Sequence, residues 1–241
     1  MGSSFLNNYF DKIYCLNLDF RKNKWIKSKR AFIRFNIKAQ RFSASSFRSN
    51  EVRAQFMTLL EKFPDRKTRR NKAIINELGA MGCLMSHIRI LKDAKKNGYD
   101  RVLILEDDFI FAKNFDKIFK RKIQRIPSWK LLYLGGTQHC WKNIDIKDGF
   151  YSPLNTCGTF AYAIDCSIYD EVLSDYEKML HPVDHCLILG AQKRHKNESY
   201  VFFPNIAIAD VTFSDIRAAR DQRSYGKRLR WDKLSYEHPS R

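Results

Sequence analysis

The chain has 241 residues, 44% of them hydrophobic, and a formal net charge of +18. That composition excludes a disordered chain, and the length is ample for a continuous core without a disulfide scaffold. The charge predicts anionic partners: phosphorylated substrates, an anionic membrane or nucleic acid.

No stretch approaches the roughly 18 uncharged apolar residues of a membrane span. The first ten residues carry no basic segment followed by an apolar run, so no signal peptide is expected. Six cysteines lie far apart with no CxxC pair, and are expected as reduced thiols in or near a core. These features predict a cytoplasmic protein, with peripheral membrane association through its basic surface. The charge concentrates at 21–53, with eleven Lys/Arg against Glu51, at 62–72, and in the tail 217–241.

Residues 12–18 (KIYCLNL) read as a buried strand. A basic helix is expected at 21–35, with Trp25 in the core, then a strand at 37–42 and a helix at 51–63 ended by Pro64. The polar run 65–72 reads as a loop. The strongest helix signal is 79–97, where Leu84, Ile88, Leu91 and Ala94 share a face and Gly98 suits the position after the end. Strand 101–105 (RVLIL) follows and runs into Glu106-Asp107-Asp108. A helix at 116–122, strands at 131–134 and 159–164, and a helix at 167–179 come next. Pro182 suits the first turn of a helix to about 190. Short strands are expected at 200–203 and 206–209. The basic end beyond 215 shows no period. Alternation of strands and helices predicts an α/β layer fold with a mainly parallel sheet. Ligands then bind outside the carboxyl ends of strands, here between Asn17-Leu18-Asp19 and Glu106-Asp107-Asp108.

Three adjacent acids at a strand end repel one another and are costly to desolvate without a cation. Oxygen-only ligands suit Mg²⁺ or Mn²⁺. Glu106 and Asp108 share a face if the strand continues that far. The plainer reading is a helix cap or a solvated turn. Asn17-Leu18-Asp19-Phe20-Arg21 is a second candidate, where a strand turning into a helix presents N–H groups and a base to an anion. The absence of GxGxxG and GxxxxGK[ST] weighs against dinucleotide-binding and P-loop enzymes. Ser86-His87 cannot be a nucleophilic dyad, because neighbours on a helix point apart. His181-Pro182-Val183-Asp184-His185 lacks the pattern of a zinc site. Its Asp184 is open between a residue favoured by the helix dipole and a general base.

Taken in order, YCLNLDFRKNK (14–24), GAMGCLMSHIRIL (79–91), GYDRVLILEDD (98–108), WKLLYLG (129–135), GTFAYAI (158–164), HPVD (181–184) and SDIR (214–217) resemble glycosyltransferase family 25. That family includes bacterial lipooligosaccharide sugar transferases and collagen galactosyltransferases. The resemblance implies a GT-A-type fold at residues 1–216; no family motif is matched beyond Arg217, and 217–241 is expected as a basic C-terminal extension packed on that fold or trailing from it. It implies a UDP-sugar donor, galactose favoured, and inversion at the anomeric carbon. It also implies Mn²⁺ or Mg²⁺ and a glycan or glycoprotein acceptor, for which the basic surface favours an anionic group. Asn17, Leu18, Arg21, Ser86, Glu106 and Asp107 fall on the donor side. Asp108, Glu106 and Asp215 are the expected metal ligands, and Asp184 the expected base. Lys24 stands where a second Arg is usual, keeping charge but losing bidentate geometry. A nucleic-acid binder would need a recognisable reading module, and none appears, so no nucleic acid is expected. A metal-dependent nuclease and an inactive protein of the same fold are the remaining alternatives.

Overall fold

In the computed structural model, which describes residues 3–67, 73–212 and 220–237, a short helix α1 (Leu6–Tyr9) leads into β1 (Lys12–Asn17). Five of the six β1 residues are buried, as its unbroken apolar run requires of a strand covered on both faces. Helix α2 (Lys22–Phe35) ends at Asn36, which takes the left-handed conformation (φ 51°) that closes a helix. β2 (Gln40–Ser43) and α3 (Asn50–Lys62) follow. The Ser49 side chain caps α3 by accepting the Val52 N–H. A 3-10 turn, Pro64–Lys67, occupies the start of the expected 65–72 loop, and the rest of that loop lies outside the described residues.

α4 (Leu78–Lys96) leads into β3 (Arg101–Glu106), β4 (Phe109–Phe111), α5 (Phe115–Ile123), β5 (Leu131–Tyr133), β6 (Phe150–Tyr151) and β7 (Ala161–Asp165). Then come α6 (Tyr169–Glu177), α7 (Val183–Leu189), α8 (Ala191–Arg194), β8 (Ser199–Phe202), β9 (Ala207–Ala209) and α9 (Gln222–Arg228). The central sheet has the order β2-β1-β3-β7-β5-β8-β6. β2, β1, β3, β5 and β8 run in one direction, and β7 and β6 run against them. The sheet is therefore mainly parallel, the α/β arrangement expected of a GT-A-type domain. β4 and β9 pair separately and antiparallel.

Two apolar layers cover the sheet. One is built by α3, α4, α6 and α7 around Leu84, Leu91, Val102 and Tyr176. The other is rich in aromatics and joins α1, α2 and α5 to the C-terminal segment through Phe32, Phe115, Phe119 and Trp231. α4 is apolar on more than one face because it lies across the sheet beneath other helices; Ile90 and Met81 are as buried as the predicted stripe.

Five elements depart from the sequence reading. α1, β4, β6 and α8 are too short to show a period. α9 lies in the tail read as aperiodic, and is set by its Asp221 cap, which accepts the Ser224 N–H. Residues 220–237 pack into the aromatic layer: Trp231 Nε1 donates to the Gly136 carbonyl at 3.0 Å and Tyr236 Oη to that of Asn205 at 2.7 Å. None of the six cysteines is in a disulfide; Cys15 and Cys186 are buried as expected, whereas Cys140 and Cys166 are exposed. Trp25 is half-buried at the edge of the aromatic layer, with the Arg41 guanidinium over its ring. No helix among the described residues is long and apolar enough to cross a membrane.

Candidate active site

Parallel pairing of β1 with β3 brings their carboxyl ends side by side, with Leu16 opposite Glu106. Asn17 is almost wholly buried and ties the two ends together. Its Nδ2 donates to Asp107 Oδ2 at 2.6 Å and to the Arg21 carbonyl at 3.2 Å, while its Oδ1 accepts from Arg41 Nε at 2.9 Å. The Leu18 carbonyl accepts the Arg21 N–H at 2.8 Å, forming the turn that starts α2. Lys24, one turn into α2, stands 3.4 Å from Asp107 Oδ1. Burial nevertheless leaves the Asp107 carboxyl above its usual range, against the pull of Lys24 and Asn17.

β3 stops at Glu106, and Asp107-Asp108 form a turn into β4. The expected strand alternation therefore ends one residue early. Glu106 and Asp108 still reach the same cleft. β4 pairs with β9, and the Asp210 N–H donates to the Asp108 carbonyl. A further acid, Asp210, thereby joins the cluster. Sequence reasoning missed it, although an acid ending the expected strand 206–209 carried the same signal as Glu106–Asp108.

The two cleft carboxylates sit in different settings. Burial raises the Glu106 pKa, but the neighbouring His87 ring and the Thr159 hydroxyl outweigh it and hold the group below its usual value. Thr159 Oγ1 donates to Glu106 Oε1 at 2.6 Å; antiparallel pairing of β7 with β3 brings it there. Asp108 is pushed up to about 8, first by burial and then by the charges of Glu106, Asp107 and Asp210. Its Oδ1 is buried with no hydrogen-bond partner among the described residues. A carboxylate oxygen left unpaired among other acids is what a divalent cation would satisfy, and the oxygen-only donors fit Mn²⁺ or Mg²⁺. Asp215, the third expected ligand, lies outside the described residues.

The cleft has a volume of about 620 Å³, and its lining includes Glu106, Asp108, Asp210, Asp184, Arg220 and Tyr225. That is within the range of sites that enclose a small organic ligand. Asp184, Arg220 and Tyr225 also line an adjoining opening with His185 and Arg228. A smaller cavity of about 130 Å³ lies behind Asp107 and Asp108 against α2, too small for a sugar nucleotide.

Asp184 sits in the first turn of α7 and is nearly buried. Its Oδ1 accepts the His185 N–H at 2.9 Å and stands 3.0 Å from His185 Nδ1. His181 points elsewhere, with Nδ1 2.6 Å from the Ala73 carbonyl oxygen, so the two histidines do not converge. Ser86 is buried in α4. Its hydroxyl accepts the Ser45 N–H at 2.8 Å and donates to the Gly82 carbonyl at 2.7 Å. Gly82 permits this: a Cβ there would lie 2.6 Å from the Ser45 carbonyl oxygen. Ser86 thus anchors the segment after β2, and its hydroxyl is already engaged. His87, the next residue on α4, faces Glu106 with Nε2 3.6 Å from Oε1.

The profile described as "Glycosyltransferase family 25 (LPS biosynthesis protein)" matches residues 10–187. The human protein named "Inactive glycosyltransferase 25 family member 3" is 30% identical over 142 residues, covering 54% of this chain and 24% of that protein. Human "Procollagen galactosyltransferase 2" is 24% identical over 133 residues, covering 52% of this chain and 21% of the relative. "Procollagen galactosyltransferase 1-B" of Xenopus laevis is 26% identical over 137 residues, with coverage of 52% and 21%. The chain therefore spans less than a quarter of the length of these curated relatives. The matched segment contains both strand ends and Asp184, and the profile extends over most of the chain: the protein belongs to glycosyltransferase family 25.

Proposed function

We propose that this chain transfers a hexose, galactose favoured, from a UDP-sugar to a hydroxyl group of a glycan or glycoprotein, with inversion and with Mn²⁺ or Mg²⁺ as cofactor. The observation that carries the reading is the unpaired Asp108 Oδ1, buried among acids beside a cleft of sugar-nucleotide size. Asp108 and Glu106 would hold the metal, with Asp210 beside them. The ion would supply Lewis-acid stabilisation of the departing diphosphate. Asn17, Leu18, Arg21 and Asp107 form the nucleotide side, where Asn17 fixes the carboxylate of Asp107 and the turn into α2 presents Arg21. Ser86 belongs to that side as a positioning residue, through Ser45.

Inversion calls for a single displacement. The acceptor hydroxyl attacks the anomeric carbon while a carboxylate removes its proton. Asp184 suits that role because it borders both the donor cleft and the adjoining opening. Its bond from the His185 N–H holds the carboxylate in place. Arg220, on the same border, would offset negative charge on the leaving diphosphate. The basic surface favours an acceptor bearing an anionic group and peripheral contact with an anionic membrane.

A second reading is a binding protein without transferase activity, favoured by the name of the human relative at 30% identity. UDP release from a panel of UDP-sugars, with and without Mn²⁺, separates the two. Metal-dependent turnover of one donor is expected. Mn²⁺-dependent UDP binding without turnover on any donor or acceptor would leave the binding reading.

A further inference from the structure

Cys83 and His87 stand four residues apart on α4, on one face of the helix. Glu106 faces them from the end of β3. The Cys83 Sγ, a ring nitrogen of His87 and a carboxylate oxygen of Glu106 all lie within 4.8 Å of one another. His87 is fully buried, and its Nε2 has no hydrogen-bond partner among the described residues. At 3.6 Å from Glu106 Oε1 it is beyond hydrogen-bond range. A buried ring nitrogen aimed at a thiol and a carboxylate, yet bonded to neither, is a group awaiting a ligand.

We propose that Cys83, His87 and Glu106 form a second metal site, one that takes Zn²⁺ in preference to Mn²⁺ or Mg²⁺. The donors differ in kind from those around Asp108. A thiolate and an imidazole select a softer ion than carboxylates alone. The spacing is suitable: two ligands at about 2.0–2.1 Å from a tetrahedral ion are roughly 3.4 Å apart, close to the nitrogen–oxygen separation here. The longer zinc–sulfur bond accommodates Cys83.

The surroundings also match a metal site. With Nε2 on the ion, Nδ1 carries the proton and donates to Tyr162 Oη, 2.7 Å away. Such an outer partner fixes the tautomer and orients the ring. Thr159 does the same for Glu106. Cys83 and Glu106 border the cleft, so an ion can enter and keep an open fourth position. Binding releases the Cys83 thiol proton to solvent. Because Glu106 would be shared, Zn²⁺ should inhibit transfer; that consequence alone rests on the transferase reading.

The test is metal binding by the full chain. Zn²⁺ is titrated in competition with a chromophoric chelator, and Co²⁺ substitution is read by ultraviolet and visible absorption. One Zn²⁺ per chain is expected, with a thiolate-to-cobalt charge-transfer band. Cys83→Ser should remove the band and weaken Zn²⁺ binding at least about 10-fold. Tyr162→Phe should weaken it roughly 10–100-fold while keeping the band. Asp108→Ala should leave band and affinity intact, which separates this site from the oxygen cluster. A Co²⁺ complex lacking the band, or a Zn²⁺ affinity unchanged in Cys83→Ser or abolished in Asp108→Ala, would overturn the proposal. The absorption readout stands whether or not the chain releases UDP.

Discussion

The ends of β1 and β3 are neighbours in one sheet, and both run into acids, yet they behave in opposite ways. At the β1 end Asp19 is exposed and fully served. Ser43 Oγ and Arg41 Nη2 each donate to it at 2.7 Å, and together they hold its pKa below the usual value. At the β3 end Asp108 is buried among like charges, keeps an unpaired oxygen, and has its pKa pushed up to about 8. An acid satisfied by its own chain stabilises the fold. An acid left unsatisfied has a ligand from outside as its natural partner. The comparison makes the second end the candidate place for the proposed chemistry.

The sharpest way to break this contrast is Asp108→Ala. UDP release at saturating metal should fall by about 10³-fold, the loss expected when a main electrostatic contribution to a leaving group disappears. Full activity would mean that the unpaired oxygen has no catalytic partner. Asp184→Asn should lower kcat by about 10²–10⁴-fold, the usual contribution of a general base. UDP affinity, measured separately by calorimetry, should be unchanged. A matching loss of affinity would move Asp184 to the donor side.

The two aspartates also predict opposite dependence on pH. Asp108 has a raised pKa, so its contribution to metal-free stability is complete below about 4 and is lost as pH rises towards 8. Metal-free Asp108→Asn should therefore melt a few degrees above the native chain at pH 8–9, given that about 1 kcal/mol shifts Tm by roughly 2–4 °C at this length. Added Mn²⁺ should restore the native chain at that pH and have little effect at pH 5, where protons compete for the carboxylate. Asp19, with a lowered pKa, contributes above about 4 and loses that contribution as pH falls further. Because it is largely exposed, Asp19→Asn should cost no more than about 1 kcal/mol in a denaturant titration at neutral pH. A larger loss there would show that the β1 end matters to the fold as a whole.

Much of this arrangement was legible in advance. β1, α2, α4 and β3 have the length and periodicity that make local signals reliable, and their residues fell within one or two positions of the expected bounds. The acid run and Asp184 stood out because carboxylates at a strand end or a helix start need a reason. Other members of the site gave weaker signals. Thr159 reaches Glu106 only because β7 runs antiparallel to β3. Asp210 joins Asp108 only because β9 pairs with β4, a three-residue strand too short to show a pattern. Ser86 looked like a donor-side residue, and the direction of its hydroxyl towards Gly82 follows from a close approach that Gly82 permits.

The sequence by itself determined the α/β class, the family, the principal strands and helices, and the acids Glu106, Asp108 and Asp184 that line the cleft. Those follow from hydrophobic period and from the cost of burying like charges, which are local properties. Tertiary structure decided which acid is satisfied and which is left unpaired, where His87 points, and that the tail closes the aromatic layer through Trp231. Each of these depends on contacts between residues far apart in the chain, and a hydrogen-bond partner supplied by a distant strand leaves no mark on the residues beside it.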